Sequence, residues 1–255
     1  MPDDPRIDLN ADLGEGFGVW SAGADEALLG IVTSANVACG FHAGDPVIMR
    51  RVCAEAVRRG VAIGAQVGYR DLVGFGRRRI DIAPDDLSAE VLYQLGALEA
   101  FARAAGDRVR YLKPHGALYH AAAADPGQAG AVVRALLDWD RPLPVLTLPG
   151  SALAAAAAAA GLPVVLEAFC DRGYRADGSL VPREQPGAVL HQAGEIADRA
   201  LAMVTDGTVR AVDGSQVAIG PHSLCVHGDT PGAAEIAGAV ADRLTGAGVR
   251  LAAFA

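Results

Sequence analysis

The sequence predicts an α/β fold, with a parallel sheet or barrel at its centre and helices outside. Three observations predict it. Apolar, β-branched runs alternate with helix-like stretches at intervals of roughly 30 residues, the pattern of parallel strands joined by crossover helices. Of the 255 residues 51% are apolar, enough for a substantial core at a length that single α/β barrels routinely reach. Ionisable residues collect directly after the strand-like runs, where parallel α/β architectures build their sites. No linker rich in Gly, Ser or Pro divides the chain, so residues 1–255 are expected to form one domain.

Ile7–Asn10 and Val32–Ala38 are the first expected strands, short apolar runs bounded by turn residues. A helix over Pro46–Arg59 follows, with Asp45 as N-cap, Pro46 at the first helical position and Gly60 at the end. Val61–Val67 is the third strand, and Pro84–Ala105 a second helix opened by proline. Val109–Lys113 and Val145–Leu148 are strands, and the alanine run from Ala152 to Ala160 reads as helix because alanine has the highest helix propensity. Val164–Phe169 is the sixth strand. Asp177-Gly178 and Asp213-Gly214 lie between extended segments and predict hairpin turns, small antiparallel excursions from the main sheet. A helix is expected over Pro186–Val204, a strand over Ser223–His227, a helix over Pro231–Leu244 capped at Thr230, and a last strand over Val249–Ala253.

Bulk properties exclude several classes. A net charge of −8 argues against a general nucleic-acid surface. The first residues, Met1-Pro2-Asp3-Asp4-Pro5-Arg6, show no basic segment followed by an apolar one, so no secretory signal is expected. The longest apolar stretch is too short to span a bilayer. Cys39, Cys53, Cys170 and Cys225 have no C-x-x-C spacing, which fits reduced thiols in a cytoplasmic protein. Lysine occurs once, at Lys113, among 22 lysines and arginines. A position that stays lysine in so arginine-rich a chain suggests a task for a compact, movable charge rather than a rigid fork.

The strand ends carry the informative polar residues. They are Asp8, Asn10, Asp12 and Glu15; then Asn36, His42 and Asp45; then Gln66, Tyr69, Arg70 and Asp71; then Lys113 and His115; then Glu167, Asp171 and Arg172; then His227 and Asp229. Plainer roles are open to some. Asp45 serves equally as a helix cap, Asp229 as a turn residue, and Asp8 as a structural barrel residue. His120 and His191 lie on or beside helical segments and are expected outside the chemistry, and His222 on the opposite face of the sheet. His42, His115 and His227 each follow an apolar run with glycine nearby, which lets the backbone present the ring. Asp, His and Lys between apolar walls suit proton transfer and oxyanion stabilisation. The same Asp and His residues also suit a divalent metal, although no H-E-x-x-H or paired-cysteine motif is present. Cys170 and Cys225 lie near strand ends, where a nucleophile or a small buried thiol are both open. There is no G-x-S-x-G elbow and no G-x-x-x-x-G-K-[ST] loop. Gly74-Phe75-Gly76-Arg77-Arg78-Arg79 offers arginines for a phosphate or carboxylate, of which one or two are expected to matter.

Four blocks resemble the LamB/YcsF family: Ile7-Asp8-Leu9-Asn10-Ala11-Asp12-Leu13-Gly14-Glu15, then 34–46 around Asn36 and His42, then Lys113-Pro114-His115-Gly116-Ala117-Leu118-Tyr119, then Val226-His227-Gly228-Asp229-Thr230-Pro231-Gly232. Asp71 with Gly74 to Arg78, and Asp171-Arg172 with Leu180 to Arg183, match as well, so the resemblance runs from about residue 6 to 236 in order. One departure stands out: many members read Gly-Ala-His-Pro where this chain has Gly64-Ala65-Gln66-Val67. The resemblance implies a distorted, TIM-like (β/α) barrel of about seven strands, of the glycoside hydrolase/deacetylase type. It implies ring-opening of 5-oxo-L-proline to L-glutamate coupled to hydrolysis of ATP, with Mg²⁺ accompanying the nucleotide, and two partner subunits, B and C. On this expectation Lys113 faces the lactam oxygen or a phosphate carried on it. Asp12 with His42 or His115 orients and deprotonates water. Asn10, Asn36, Arg77, Asp171, Arg172, His227 and Asp229 hold the substrate. A metal-dependent amidase or carbohydrate deacetylase, with Asp12, His42 and His115 or His227 as ligands, is the first alternative. A non-catalytic lactam-binding subunit is the second.

Overall fold

The computed structural model describes residues 5–20, 23–228 and 232–255. Its strands are β1 (Arg6–Leu13), β2 (Ser34–Ala38), β3 (Ala62–Val67), β4 (Tyr111–Pro114), β5 (Val145–Thr147), β6 (Val164–Phe169), β7 (Thr208–Arg210), β8 (Gln216–Ala218), β9 (Ser223–Val226) and β10 (Arg250–Leu251). Strands β1 to β6 and β9 run parallel, each beside the next, and β9 returns to β1. That last pairing, from Asp8↔Ser223 to Ala11↔Val226, closes a barrel of seven strands. β10 lies outside the ring and extends the lower end of β1 through Arg6↔Arg250 and Ile7↔Leu251. The last strand is thus shorter than its apolar run suggests.

The period-two alternation of β1 explains how a buried strand carries so many polar groups. Ile7, Leu9, Ala11 and Leu13 join the main apolar core, whereas Asp8, Asn10 and Asp12 turn to the barrel interior. Lower down, the interior is filled by Tyr111, Leu146 and Val165, with Phe254 stacked edge-on against Tyr111 from below. Gly64 is required here: a Cβ would lie 2.1 Å from the Tyr111 ring.

The helices are α1 (Asp25–Leu28), α2 (Pro46–Arg59), α3 (Pro84–Ala104), α4 (Gly116–Ala124), α5 (Pro126–Leu137), α6 (Ala152–Ala159), α7 (Ala193–Thr205) and α8 (Ala233–Gly246). α2 keeps its expected bounds. Asp45 accepts from the backbone N–H of Val47 and Ile48 at 2.8 and 2.9 Å, and Gly60 ends the helix in the left-handed region. The sequence reading omitted α4 and α5, although Asp125-Pro126 repeats the Asp45-Pro46 signal and Asp125 caps Gly127 and Gln128. α7 starts seven residues later than expected. Residues 186–192 instead fold back along the segment after β6, where Val189 pairs with Arg172 and Leu190 N–H donates to Asp171 O. Both expected hairpin turns are present: Tyr174 pairs with Leu180 around Asp177-Gly178, and β7 with β8 around Asp213-Gly214. The expected cap at Thr230-Pro231 lies outside the described residues.

Candidate active site

The C-terminal ends of the barrel strands open into a cavity of about 720 Å³. Asp12, Lys113, His115, Phe169, Arg172 and His227 line its inner end. Arg77, Arg79 and Arg183 stand on the walls. A larger cavity of about 1220 Å³ lies outside the barrel, between the segment after β1 and α2. Its charged residues are mostly paired with one another, Arg51 with Asp25 and Arg58 and Arg59 with Glu55, and no barrel-interior group reaches it.

Lys113 sits on the floor, 2% exposed. Its Nζ is 2.9 Å from Glu167 Oε2 and 3.4 Å from Asp12 Oδ1. It also donates to Asn10 Oδ1 at 3.3 Å and lies over the Phe169 ring. Burial works against its charge, but the facing Asp12 and Glu167 carboxylates outweigh it and hold the ammonium well above the usual lysine range. Asp12 responds in the opposite sense: burial pushes its carboxyl up, and Lys113 and the neighbouring histidines bring it below the usual range. Glu167 stays raised because burial exceeds the pull of Lys113. Glu167 meets Lys113 as a buried ion pair, with the Tyr119 hydroxyl on its other side.

Asn36 binds Asp12 Oδ1 at 2.8 Å and Asn10 Oδ1 at 2.7 Å, while Tyr111 donates to Asn36 at 2.6 Å. Asn10 and Asn36 therefore brace the floor by hydrogen bonds and do not line the cavity. Below them, Asp8 accepts from the Thr33, Ser34 and Ser223 hydroxyls, the structural role open to it from the sequence. Asp45 is the cap of α2 and also accepts from Gly18 N–H.

On one side His227 Nδ1 donates to both oxygens of Asp171 at 2.9 Å, and the ring stacks on Phe169. Burial pushes the Asp171 carboxyl up, but His227 brings it below the usual range. An ionised carboxylate only accepts, which fixes a proton on Nδ1, so that in a neutral ring the lone pair is on Nε2. Arg172 donates to the carbonyls of Ala188 and Val181 at 3.0 and 2.7 Å. Burial, with Arg183 nearby, lowers its pKa to about 10, so it remains cationic at neutral pH.

On the other side His42 and His115 stack with ring centroids 4.1 Å apart. His42 is fully buried behind His115 and does not line the cavity. Burial pulls His42 down to about 4, and burial together with His42 pulls His115 well below the usual range, so both rings are neutral at neutral pH. His42 Nε2 meets Gln66 Oε1 at 3.1 Å, Gln66 Nε2 donates to Glu15 Oε1 at 3.1 Å, and His115 Nε2 is 3.5 Å from the same oxygen. Glu15, His42 and His115 form the group of metal-ligating side chains found among the described residues, a different set from the one centred on Asp12 in the alternative metal-dependent reading.

Of the arginine run, Arg78 is tied to Asp71, while Arg77 and Arg79 reach the cavity. His120 lies on α4, as expected, and on the cavity wall, because α4 begins directly at the strand end and its first turns stay at the mouth. His222 holds β6 at the opposite end, its Nδ1 accepting from Leu166 N–H. Asp229 lies outside the described residues. All four cysteines are free and buried; burial pushes the Cys225 and Cys170 thiols up, which removes them as nucleophiles at neutral pH. Glu15 and Glu167 stood among the strand-end polar residues, and Arg183 in a matching block, without a role assigned to any of them. A single charge inside the run Val164–Phe169 was the available signal for Glu167.

Seven parallel strands closed around a polar floor, with a mouth of histidines, carboxylates and arginines, define a closed, TIM-like α/β barrel. A T48 deacetylase shares this fold at a TM-score of 0.51 and 15% identity, over 97% of this chain and 87% of that one. The chain belongs to the LamB/YcsF family, whose model matches residues 7–255. It is 61% identical over 248 residues to the A subunit of 5-oxoprolinase from Mycobacterium avium (strain 104), covering 97% of this chain and 98% of the relative. A lactam utilization protein from Thermus thermophilus superposes with a TM-score of 0.93 at 46% identity, over 98% of this chain and 100% of that one. Among the described residues no helix is long and apolar enough to cross a membrane.

Proposed function

We propose that this chain opens the lactam ring of 5-oxo-L-proline to give L-glutamate, as the A subunit of a cytoplasmic, ATP-dependent 5-oxoprolinase whose partners are subunits B and C. The observation that carries the reading is Lys113, a charged lysine on the floor of a cavity whose walls carry arginines. The names of a relative and of a structural neighbour, the one a 5-oxoprolinase component and the other a lactam utilization protein, support the choice of a lactam.

The residues divide the work as follows. Arg172, with Arg77 or Arg183, holds the substrate carboxylate. This sets the ring carbonyl towards Lys113, whose ammonium faces the oxygen as negative charge develops on it. Asp12 and Glu167 hold Lys113 charged and in place. His227 takes the proton of the attacking water on Nε2, oriented by Asp171. It replaces His42 and His115 in that role, since burial pulls His42 down to about 4 and His115 well below the usual range, which makes both weak bases, and His42 does not reach the cavity. Water adds to the ring carbonyl carbon, the carbon–nitrogen bond breaks, and the proton passes to the leaving amine. A five-membered lactam resists this reaction. Transfer of the terminal phosphoryl group of ATP to the amide oxygen would make it a good electrophile; ring opening by water would then leave an acyl phosphate, and a second water would release phosphate and glutamate. No phosphate-cradling G-x-x-x-x-G-K-[ST] loop occurs in this chain, so a nucleotide bound to it would be held by other groups, such as the arginines at the mouth.

The test mixes the chain with subunits B and C, 5-oxoproline and ATP, and measures glutamate and phosphate together. Lys113→Arg keeps the charge but not the compact shape, and is expected to lower glutamate release by about 10²–10³-fold with the fold retained. Turnover near wild type would remove Lys113 from the mechanism.

A further inference from the structure

One cluster of ligating groups is left unused by that chemistry. We propose that Glu15, His42 and His115 form a binding site for one divalent transition-metal ion of the zinc class, with the amide oxygen of Gln66 as a fourth, neutral ligand. The ligand atoms of the three residues already lie within 4.8 Å of one another. His115 Nε2 and Glu15 Oε1 are 3.5 Å apart, close to the ligand-to-ligand edge of about 3.3–3.5 Å that bonds near 2.1 Å give in a tetrahedron. Gln66 Oε1 is 3.1 Å from His42 Nε2, so the fourth position is filled from the same side. Two imidazoles and a carboxylate are a donor set that zinc and its neighbours favour over calcium or magnesium.

Hydrogen bonding points the same way. Both rings are buried, and the Nδ1 of each has no hydrogen-bond partner. Buried polar atoms are nearly always paired. If the proton of each neutral ring sits on Nδ1, the Nε2 lone pairs face the oxygen lone pairs of Gln66 and Glu15. That arrangement is repulsive when empty and attractive around a cation. If the proton sits on Nε2, a buried lone pair is left without a donor on each Nδ1.

The backbone is shaped to hold the two rings together. A Cβ at Gly68 would lie 2.6 Å from His42 Nδ1, and one at Gly76 would lie 2.8 Å from His42 Cβ. Between Gly74 and Gly76, Phe75 adopts φ 54°, the one non-glycine residue in the left-handed region among those described. Its ring stands edge-on to both imidazoles, at 6.2 and 5.4 Å. A bulky side chain kept at positive φ costs on the order of 1–3 kcal/mol, and such strain concentrates at functional sites. The ion would lie at the inner end of the cavity, since His115 is part of its wall. The inference stands whether or not the substrate is a lactam.

The whole chain, treated with chelator and dialysed, would be titrated with Co²⁺ while visible d–d absorption is followed, then with Zn²⁺ to displace it. The expected result is saturation at one Co²⁺ per chain, full displacement by Zn²⁺, and a rise in melting temperature with Zn²⁺. Glu15→Gln, which preserves shape, and His42→Asn are expected to weaken binding by about 100-fold or more, and Gln66→Ala by about 10-fold. Circular dichroism would confirm that each variant is folded. Absence of saturable Co²⁺ and Zn²⁺ binding by the wild-type chain would overturn the proposal, as would unchanged affinity in folded Glu15→Gln and His42→Asn. Neither measurement involves 5-oxoproline, ATP or partner subunits, so failure here and failure of the lactam reading are separate results.

Discussion

His227 and Asp171 show what a single contact adds to a residue list. Both were expected among substrate-binding groups, yet the two 2.9 Å contacts make Asp171 an orienting partner behind the ring rather than part of the cavity wall. Asp171→Asn is expected to preserve folding and substrate affinity while lowering kcat by about 10²–10⁴-fold, because an amide no longer fixes the proton on Nδ1. Steady-state kinetics in the reconstituted assay checks this, and a loss confined to KM would return Asp171 to a binding role. The neighbouring case is Lys113, whose rarity in the sequence marked it and whose two carboxylate partners explain how it stays charged while buried. Rarity could not supply Glu167, since that partner lies 54 positions away and meets it only across the barrel interior. Sequence reading also grouped Asn10 and Asn36 with the substrate contacts; in the fold Asn36 lies opposite Asp12 and bonds it and Asn10, and neither asparagine lines the cavity.

Local rules dictate the elements wherever a cap and a proline coincide. α2 runs from Pro46 to Arg59 as read from Asp45, Pro46 and Gly60, since each fixes a dihedral or satisfies a helix-end group within three residues. Asp45→Ala is expected to cost about 0.5–2 kcal/mol in urea unfolding and to leave turnover at saturating substrate unchanged. A loss of kcat without a loss of stability would instead place Asp45 in the chemistry. Where tertiary contacts compete, the local signal misleads. Pro186 could open a helix, but residues 186–192 are held by pairing of Val189 with Arg172 and by the Leu190 to Asp171 bond, and α7 begins at Ala193. That diversion has a consequence for the site, because the Ala188 carbonyl in this stretch is one of the groups that fix Arg172.

Closure of the barrel depends on the seam between β1 and β9, and a polar knot secures it. Asp8 on β1 accepts from Ser34 on β2 and Ser223 on β9, as well as from Thr33, so one carboxylate joins three successive segments. Burial raises the Asp8 pKa above its ordinary value despite those three donors. A raised folded-state value means the folded chain binds the proton more readily. Its contribution to stability is therefore full below the unfolded pKa of 3.8 and fades as pH rises through the folded value. Asp8→Asn keeps the acceptor and removes the buried charge, so its stability relative to wild type should improve between pH 4.5 and 7.5. Asp8→Ala should be destabilising at both, by roughly 1–3 kcal/mol for each hydroxyl left without an acceptor. Urea unfolding of the three proteins at the two pH values checks both statements, and a wild-type advantage that grows with pH would contradict the assignment.

Taken alone, the sequence determined the parallel α/β architecture, most strand positions, the capped helices and the convergence of Asp12, Lys113, His115, Arg172 and His227 at one mouth. Those features follow from periodicity of two or 3.6 residues and from capping, interactions that act within a few residues along the chain. Tertiary structure alone decided which charges face one another. Lys113 meets Asp12 and Glu167, His227 meets Asp171, and His42 meets His115, Gln66 and Glu15, each across separate strands or loops. Closing seven staggered strands into a ring fixes their register and so the height of every inward side chain, and pairing partners are set by that height rather than by distance in sequence.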